Sequence, residues 1–137
     1  MKKLPFAKKK KLRPLRLLKK DVWDVFARWV RQRGGDGKSN FCISCGKIFP
    51  INGKALNAGH YIHGKWTKKS GLDERNVWAQ CTYCNLGLAG NQSAYKEALL
   101  LKIGPEGIDA IQALSKQIWK PTRDELEEIK KKYSEVV

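Results

Sequence analysis

The chain of 137 residues carries 28 Lys and Arg side chains against 13 Asp and Glu, a net charge of +15, and 42% of its residues are hydrophobic. This composition argues against wholesale disorder, and the positive charge indicates a polyanionic partner. No apolar run approaches the ~20 residues of a membrane span, so we expect an intracellular protein that has no membrane partner.

The first 20 residues hold ten Lys and Arg side chains and no acidic one. Pro5 and Pro14 would interrupt a helix here, which predicts a flexible basic arm over residues 1–20. Either the arm is a solvated tail or it clamps nucleic-acid phosphates, a contact that carries no sequence specificity. The arm residues that we predict to bind nucleic acid are Lys8, Lys9, Lys10, Lys11, Arg13, Arg16, Lys19 and Lys20.

A first helix is predicted to begin at Asp21, a residue suited to the N-cap position. Its apolar side chains recur at helical spacing as far as Gly34-Gly35, which should end the helix. We expect the aromatic residues among them to pack in the core. Arg31 and Arg33 fall on or near the polar side, where they are predicted to contact phosphate.

The middle of the chain predicts short strands separated by loops. Residues 41–50 form a ribbon around a first cysteine pair, Asn52-Gly53 signals a hairpin, and strands follow at residues 55–62 and 76–80. Between these two strands lies a basic, polar loop. Its side chains that are predicted to contact phosphate are Lys65, Lys68, Lys69 and Arg75.

The remainder of the chain predicts helices. One helix runs from Asn91 to Gly104-Pro105, where it should stop, and a further helix follows. Thr122 and Glu125 form a capping box for the last helix. Residues 105–137 are thus predicted as a C-terminal helical extension, whose apolar faces either fold back on the core or join two copies in a homodimer.

All four cysteines occur as two pairs with a two-residue gap, Cys42 with Cys45 and Cys81 with Cys84. Two thiolates at this gap can bind one metal ion in a tight turn, and two such pairs complete the tetrahedron that Zn²⁺ prefers. Disulfides and unrelated buried thiols are the alternatives, and a reducing compartment disfavours disulfides. We predict one structural Zn²⁺, because a closed four-sulfur site leaves no open position for chemistry.

Both histidines of the chain, His60 and His63, lie between the cysteine pairs with Asn76, and Asn85 directly follows the last cysteine. A histidine on a strand can act as a general base. This order resembles the HNH, or ββα-metal, nucleases, and more closely the NinG/Rap family of lambdoid-phage recombination nucleases. The motifs that match are Cys42-Ile43-Ser44-Cys45-Gly46, Ala58-Gly59-His60-Tyr61-Ile62, Asp73-Glu74-Arg75-Asn76-Val77, Gln80-Cys81, Cys84-Asn85 and Gly90-Asn91 followed by Tyr95.

The resemblance implies an α+β fold, in which the zinc site staples a small ββα-metal core within residues 21–104 and helices flank it. It implies that His60 is the general base, that Asn76 holds the loop around His60, and that Asn85 binds a catalytic Mg²⁺ or Mn²⁺. The expected substrate is branched DNA of the Holliday junction, D-loop or flap type. The expected location is the host-cell cytoplasm if a phage or mobile element encodes the chain.

Gly59 departs from that pattern, because many HNH nucleases place an acidic metal ligand immediately before the general base. The candidates for a further ligand of the catalytic metal are His63, Asp73 and Asn91, and His60 itself is a fourth. The departure keeps two functions open. The first is a metal-dependent DNA endonuclease, and the alternative is a noncatalytic, zinc-containing accessory protein that binds nucleic acid.

Overall fold

The computed structural model describes residues 11–135, which form three α-helices, a π-helical turn and two small sheets. The helices are α1 (Leu15–Gln32), α2 (Gln92–Ser115) and α3 (Arg123–Glu135), and the π-helix spans Tyr83–Gly87. The strands are β1 (Ser39–Phe41), β2 (Ile48–Pro50), β3 (Leu56–His60) and β4 (Val77–Cys81). The predicted α+β class is confirmed. None of the helices in residues 11–135 is long and apolar enough to cross a membrane.

The two sheets are separate antiparallel pairs, β1 with β2 and β3 with β4. The predicted hairpin at Asn52-Gly53 is wrong, because β2 already has its partner in β1. Residues 51–55 form bends that lead from the first sheet to the second. The chain then runs through β3, β4 and the π-helix in that order.

Helix α1 begins at Leu15, directly after Pro14, and not at Asp21 as predicted. The Asp21 carboxylate is not a cap, because it accepts hydrogen bonds from Arg13 Nε and Nη2 at 2.6 and 3.0 Å and lies 3.5 Å from Lys130 Nζ. This acid within the helix therefore ties the segment before α1 to α3.

The first turns of α1 belong to the folded core. Leu18 is fully buried, and it packs with Val22 and with Leu126 of α3. Residues 15–20 are thus helical, so the flexible arm predicted over residues 1–20 is wrong for this part. The predicted arm residues that lie outside the described residues are Lys8, Lys9 and Lys10.

The core forms where α1 packs against β4 and α3. Phe26 of α1 packs with Val77 of β4 and Tyr133 of α3, and the rings of Phe26 and Tyr133 meet edge to face with centroids 4.9 Å apart. Because Leu18 meets Leu126 and Phe26 meets Tyr133, the two helices run parallel. Helix α3 is therefore part of the same core as α1.

Helix α2 is interrupted where the sequence predicts it. Gly104 has φ 69° and ψ 175° within the helix, directly before Pro105. Beyond this break, Ile108 and Ile111 are buried in a cluster with Tyr95. Part of the apolar face that the sequence offers for a homodimer is thus covered within the chain, whereas Ala113 on the same helix is exposed. The homodimer stays a prediction.

The predicted capping box of the last helix is confirmed. Glu125 N donates to Thr122 Oγ1 at 3.2 Å, and Thr122 N donates to Glu125 Oε1 at 3.3 Å. Two backbone donors at the helix N-terminus are satisfied by these reciprocal bonds, which explains why α3 begins at Arg123.

Replacing Leu126 by alanine should lower the free energy of unfolding by about 2–5 kcal/mol, because a cavity would replace a fully buried side chain between α1 and α3. Leu101→Ala is the matched control, since Leu101 is 90% exposed, and it should change the stability by less than about 0.5 kcal/mol. Urea denaturation at constant metal content measures both. Equal effects of the two substitutions would contradict the shared core.

Candidate functional site

The two cysteine pairs come together in the folded chain. Cys42 and Cys45 lie between β1 and β2, Cys81 ends β4, and Cys84 lies in the π-helix. Their Sγ atoms all lie within 4.8 Å of one another, and the Cys45 and Cys81 Sγ atoms are 3.9 Å apart. A tetrahedral zinc ion with bonds of about 2.3 Å holds its sulfur ligands about 3.8 Å apart. The four sulfur atoms could thus hold a zinc ion, and the predicted clustering is confirmed.

Both cysteine turns direct backbone donors at sulfur. The N–H of Cys45 donates to Cys42 Sγ and that of Cys84 to Cys81 Sγ, each at 3.4 Å. Gly46 adopts φ 75°, and its N–H donates to the Cys42 carbonyl oxygen at 2.9 Å. N–H donors stabilise a thiolate. At Cys42 burial is outweighed by such donors, which lower the pKa of the thiol, whereas burial raises the pKa of Cys81 and its N–H donor only opposes that rise.

Asn91 belongs to the cysteine cluster. Its Nδ2 lies 3.5 Å from Cys84 Sγ, and its backbone, at φ 42°, occupies the position before α2 without a side-chain cap. Asn91 does not line the cleft that contains His60. Its role as a ligand of the catalytic metal stays a prediction, and this placement does not support it.

A cleft of about 500 Å³ lies between α1, β3 and the π-helix. The predicted site residues that line this cleft are His60, His63 and Asn85. The cationic side chains that line it are Arg31, Lys54 and Lys65. Within residues 11–135, no Asp or Glu side chain lines it. A concave basic surface of this kind suits the phosphate backbone of a nucleic acid.

His60 is tightly held at the end of β3. Its side chain is buried, its Nε2 lies 2.7 Å from the Gly71 carbonyl oxygen, and its ring stacks on Trp23 with centroids 5.4 Å apart and planes inclined by 15°. A carbonyl oxygen only accepts, so Nε2 carries the proton and the lone pair of the neutral ring lies on Nδ1. Nδ1 has no protein partner among the described residues and is not sealed from solvent.

Burial lowers the pKa of His60 from 6.5 to about 4, because the imidazolium would lose solvation. The hydrogen bond to Gly71 opposes this shift, and the positive charges of Lys65 and His63 add to it. The imidazole is therefore neutral at pH 7, the form in which it can accept a proton.

Asn76 holds the segment between β3 and β4. Fully buried, it accepts a hydrogen bond from Ile62 N at 2.9 Å and donates to the carbonyl oxygens of Ile62 and Ser70 at 2.9 and 3.0 Å. Gly71, the partner of His60, lies in this segment. The side chain does not line the cleft, so its geometry is that of a residue that holds a loop rather than of a metal ligand.

Asp73 and Arg75 form an ion pair. The carboxylate accepts hydrogen bonds from Arg75 Nε at 3.0 Å and from Arg75 Nη2 at 2.9 Å. Burial alone would raise the pKa of Asp73, but the hydrogen bonds from Arg75 outweigh it and lower that pKa. Asp73 lies outside the cleft lining and pairs with Arg75, so its role as a metal ligand and the phosphate contact of Arg75 both stay predictions.

Arg33 binds the protein backbone rather than phosphate. Its Nη1 and Nη2 donate to the carbonyl oxygens of Glu74 and Val77 at 2.9 and 2.7 Å. Its Cζ lies 3.6 Å from the ring centroid of Trp78 and 4.6 Å from that of Trp29. With its guanidinium so engaged, Arg33 has a structural role, which corrects the prediction from its place on the helix.

The other predicted nucleic-acid contacts divide by location. Arg31 and Lys65 line the cleft, whereas Lys19 and Lys68 are half-buried outside it. Those that are exposed on the surface, where a polyanion can reach them, are Lys11, Arg16, Lys20 and Lys69. Arg13 is exposed as well, but it is paired with Asp21.

The structure explains why the position before His60 is glycine. A Cβ atom at Gly59 would lie 2.1 Å from Gln80 Oε1 and 2.9 Å from Gln80 Cβ, and Gln80 is fully buried. Successive residues of a strand face opposite sides of the sheet. An acidic side chain at position 59 would therefore enter the interior, on the side opposite to His60 and the cleft.

The residues that line the cleft without having been assigned to the site from the sequence include three with an aromatic or polar side chain, Trp23, Lys54 and Asn57. Trp23 reads from the sequence as one of the aromatic residues of the core. The spacing of residues in α1 could have indicated its place in the cleft. Trp23, Ala27 and Arg31 recur every four residues on one face of the helix, and Arg31 is a predicted phosphate contact.

These features define a basic α+β protein with a four-cysteine cluster and a histidine-bearing cleft. The sequence model of the NinG family, described as Bacteriophage Lambda NinG protein, matches residues 2–137. The chain therefore belongs to the NinG family, which confirms that part of the resemblance drawn from its motifs.

Phage proteins of this family are similar to the chain over most of its length. Protein ninG of Escherichia phage 933W is 32% identical over 133 residues, which cover 93% of this chain and 62% of that protein. Protein ninG of Escherichia phage lambda is 31% identical over 133 residues, which cover 93% of this chain and 61% of that protein. The chain thus spans about three fifths of the length of these relatives. No solved structure matches it.

Elemental analysis of the purified protein should find one zinc ion per chain, because the four sulfur atoms have the spacing of one tetrahedral site. Cys84→Ser should lose the ion and lower the melting temperature, since the buried position offers no substitute thiolate. Ser93→Ala, an exposed change on α2, should keep both the ion and the stability. Metal-free wild-type protein with oxidised cysteines would refute the site.

The stability of the protein should depend on pH through His60. The unfolded chain binds a proton near pH 6.5 and the folded chain only near pH 4, so stability is fully present above about pH 6.5 and is lost as the pH falls towards 4. The loss should be on the order of 3 kcal/mol. Urea denaturation at several pH values measures it.

His60→Gln is the control for this titration, because glutamine can still donate to the Gly71 carbonyl but does not titrate. Metal release at low pH affects both proteins, so the difference between them isolates the histidine. The same dependence on pH in both proteins would contradict a buried neutral His60.

Proposed function

We propose that this chain is a metal-dependent endonuclease that hydrolyses phosphodiester bonds in branched DNA. The observation that carries the proposal is a neutral His60 whose Nε2 proton is held by the Gly71 carbonyl, in a cleft lined by cationic side chains. Hydrolysis of a phosphodiester needs a positioned base, because the attacking water must be deprotonated near a negatively charged group.

In this mechanism one residue of the cleft accepts a proton and two others bind the phosphate. Nδ1 of His60 accepts the proton of the attacking water. The side chains of Arg31 and Lys65 bind the phosphate, and both are half-buried, so water screens their charges less than on an open surface. Burial lowers the pKa of Lys65, whereas a guanidinium such as that of Arg31 stays protonated in proteins.

Asn85 and His63 are the residues that would hold a divalent cation. Both line the cleft with His60, and they offer an amide oxygen and an imidazole nitrogen. Because no carboxylate lines the cleft, this donor set fits Mn²⁺ better than Mg²⁺, which prefers oxygen ligands. When bound, such an ion would stabilise charge on the scissile phosphate and on the leaving oxygen.

The order of elements supports an HNH-type core. His60 ends β3, β4 pairs with β3, and Asn85 lies in the π-helix that follows. This is the strand, strand, helix order that the resemblance to ββα-metal nucleases implies. The cysteine cluster at the end of β4 would bind zinc and fix the π-helix against the sheet, with no open position for catalysis.

Branched DNA is the proposed substrate for two reasons. The motifs resemble those of phage recombination nucleases, which favours Holliday junction, D-loop or flap intermediates. The exposed basic residues at the N-terminal end of α1, such as Arg16 and Lys20, extend the positive surface beyond the cleft. A homodimer would place two active sites on a symmetric junction, and a sizing experiment on the DNA complex would test it.

One observation favours the alternative of a noncatalytic accessory protein. Among the residues that line the cleft, none is a carboxylate, although many HNH nucleases have an acidic metal ligand. The two functions make the same prediction for DNA binding and opposite predictions for cleavage, so a cleavage assay separates them.

Purified protein should nick branched DNA with Mn²⁺, more slowly with Mg²⁺, and not with a chelator. His60→Ala should lower the single-turnover rate by ~10²-fold or more, the usual contribution of a general base. His60→Gln should lose the same activity while it keeps the Gly71 hydrogen bond, which separates loss of the base from loss of the loop. Gel analysis of a panel of junction, flap and linear substrates measures the rates.

Zinc content and circular dichroism of each variant verify that the fold is intact. Wild-type protein that binds the panel with full zinc content but cuts nothing under any metal would contradict the nuclease and favour the accessory protein. Cleavage that survives in both His60 variants would remove His60 from the mechanism.

A further inference from the structure

We propose that Trp23 of α1 is a positioning residue for the general base, because its indole ring holds both the His60 imidazole and the Lys65 ammonium at the cleft. The inference rests on the proposed function of this site. Trp23 lies outside the motifs that carry the family resemblance. It also lies outside β3, β4 and the π-helix.

The contacts of the indole connect the two functional side chains. The His60 ring is stacked on it at 5.4 Å with an inclination of 15°, and Lys65 Nζ lies 3.7 Å from its centroid. Trp23 also packs against Phe26, with centroids 5.9 Å apart, and against the core cluster of α1. Because the indole is anchored in the core through α1, it holds the His60 ring and the Lys65 side chain in fixed positions in the cleft.

Stacking supplies the constraint that the hydrogen bond of His60 does not. The Gly71 carbonyl fixes where Nε2 lies, but one hydrogen bond still lets the ring tilt about its bond to Cβ. The indole fixes the plane of the ring and so directs Nδ1. It also keeps water from one face of the imidazole, which favours the neutral ring.

The Trp23 indole also explains how the Lys65 ammonium is held beside the general base His60. A cation near His60 strengthens its preference for the neutral form, and Lys65 is one of the charges that act in this way, with His63. The only acid that acts on Lys65 in the described residues is Asp24 on α1, through its charge. The cation–π contact holds Lys65 where it can meet phosphate without an ion-pair partner that would compete.

Trp29 provides a matched control on the same helix. It packs against Phe26 and Tyr133, with centroids 6.1 and 5.1 Å apart, and it does not line the cleft. Replacing either tryptophan by leucine removes an indole from α1, but only Trp23→Leu removes the stack on His60. Trp23→Phe keeps an aromatic face and serves as the conservative variant.

The first test is the titration of His60 by NMR, which needs no cleavage activity. The C–H resonances of the two histidines are assigned with His63→Gln. In Trp23→Leu the His60 pKa should be at least about one pH unit higher than in the wild type, because water reaches the ring and Lys65 is released. Trp29→Leu should titrate like the wild type, and Trp23→Phe should lie between them.

The second test separates chemistry from binding. Trp23→Leu should lower the single-turnover cleavage rate at saturating DNA by about tenfold or more, and the loss of DNA affinity caused by the released Lys65 should be smaller than this loss of rate. A wild-type titration of His60 in Trp23→Leu, or an equal shift in Trp29→Leu, would overturn the inference. If the protein cleaves no DNA, the proposed function fails, and the titration alone still decides whether Trp23 positions His60.

Discussion

The packing of α1 across the β3–β4 pair is the constraint on which the rest of the structure depends. Arg33 fastens the end of the helix, because its guanidinium donates to the carbonyl oxygens of Glu74 and Val77 and lies against the Trp78 ring. With that end fixed, the helix can bury Phe26 over β4 and place the ring of Trp23 on His60. A helix that lies outside the strand, strand, helix core therefore forms one wall of the cleft.

The cleft keeps the His60 imidazole uncharged although the side chains around it are cationic. The buried Asn76 holds the segment that presents the Gly71 carbonyl to His60, and Gln80 fills the space on the far side of β3. Neither contributes a charge. The pKa of His60 is set by burial, by the Gly71 hydrogen bond and by nearby cations, which distinguishes this site from sites in which a carboxylate pairs with the histidine.

Local patterns in the sequence predicted the local parts of the structure. The paired cysteines and the Thr122–Glu125 cap depend on residues a few positions apart, and both are confirmed. The start of α1 was wrong because Leu18 is stabilised by Leu126 of α3, a contact between distant parts of the chain. Asp73 and Arg75 are only two positions apart, but their spacing does not show whether the Asp73 carboxylate faces Arg75 or the cleft. The catalytic roles of His60 and Asn85 stay predictions, since only their shared cleft is observed.

The parallel pairing of α1 and α3 has a consequence for how the nascent protein folds. A hydrogen bond from Arg123 Nη1 to the Arg13 carbonyl oxygen joins residues 110 positions apart, and contacts of such long range form slowly. On the ribosome, the apolar face of α1 leaves the exit tunnel long before α3 is translated. During that interval it is exposed to aggregation or to binding by chaperones. The wall of the cleft that carries Trp23 can therefore pack fully only after α3 has been synthesised.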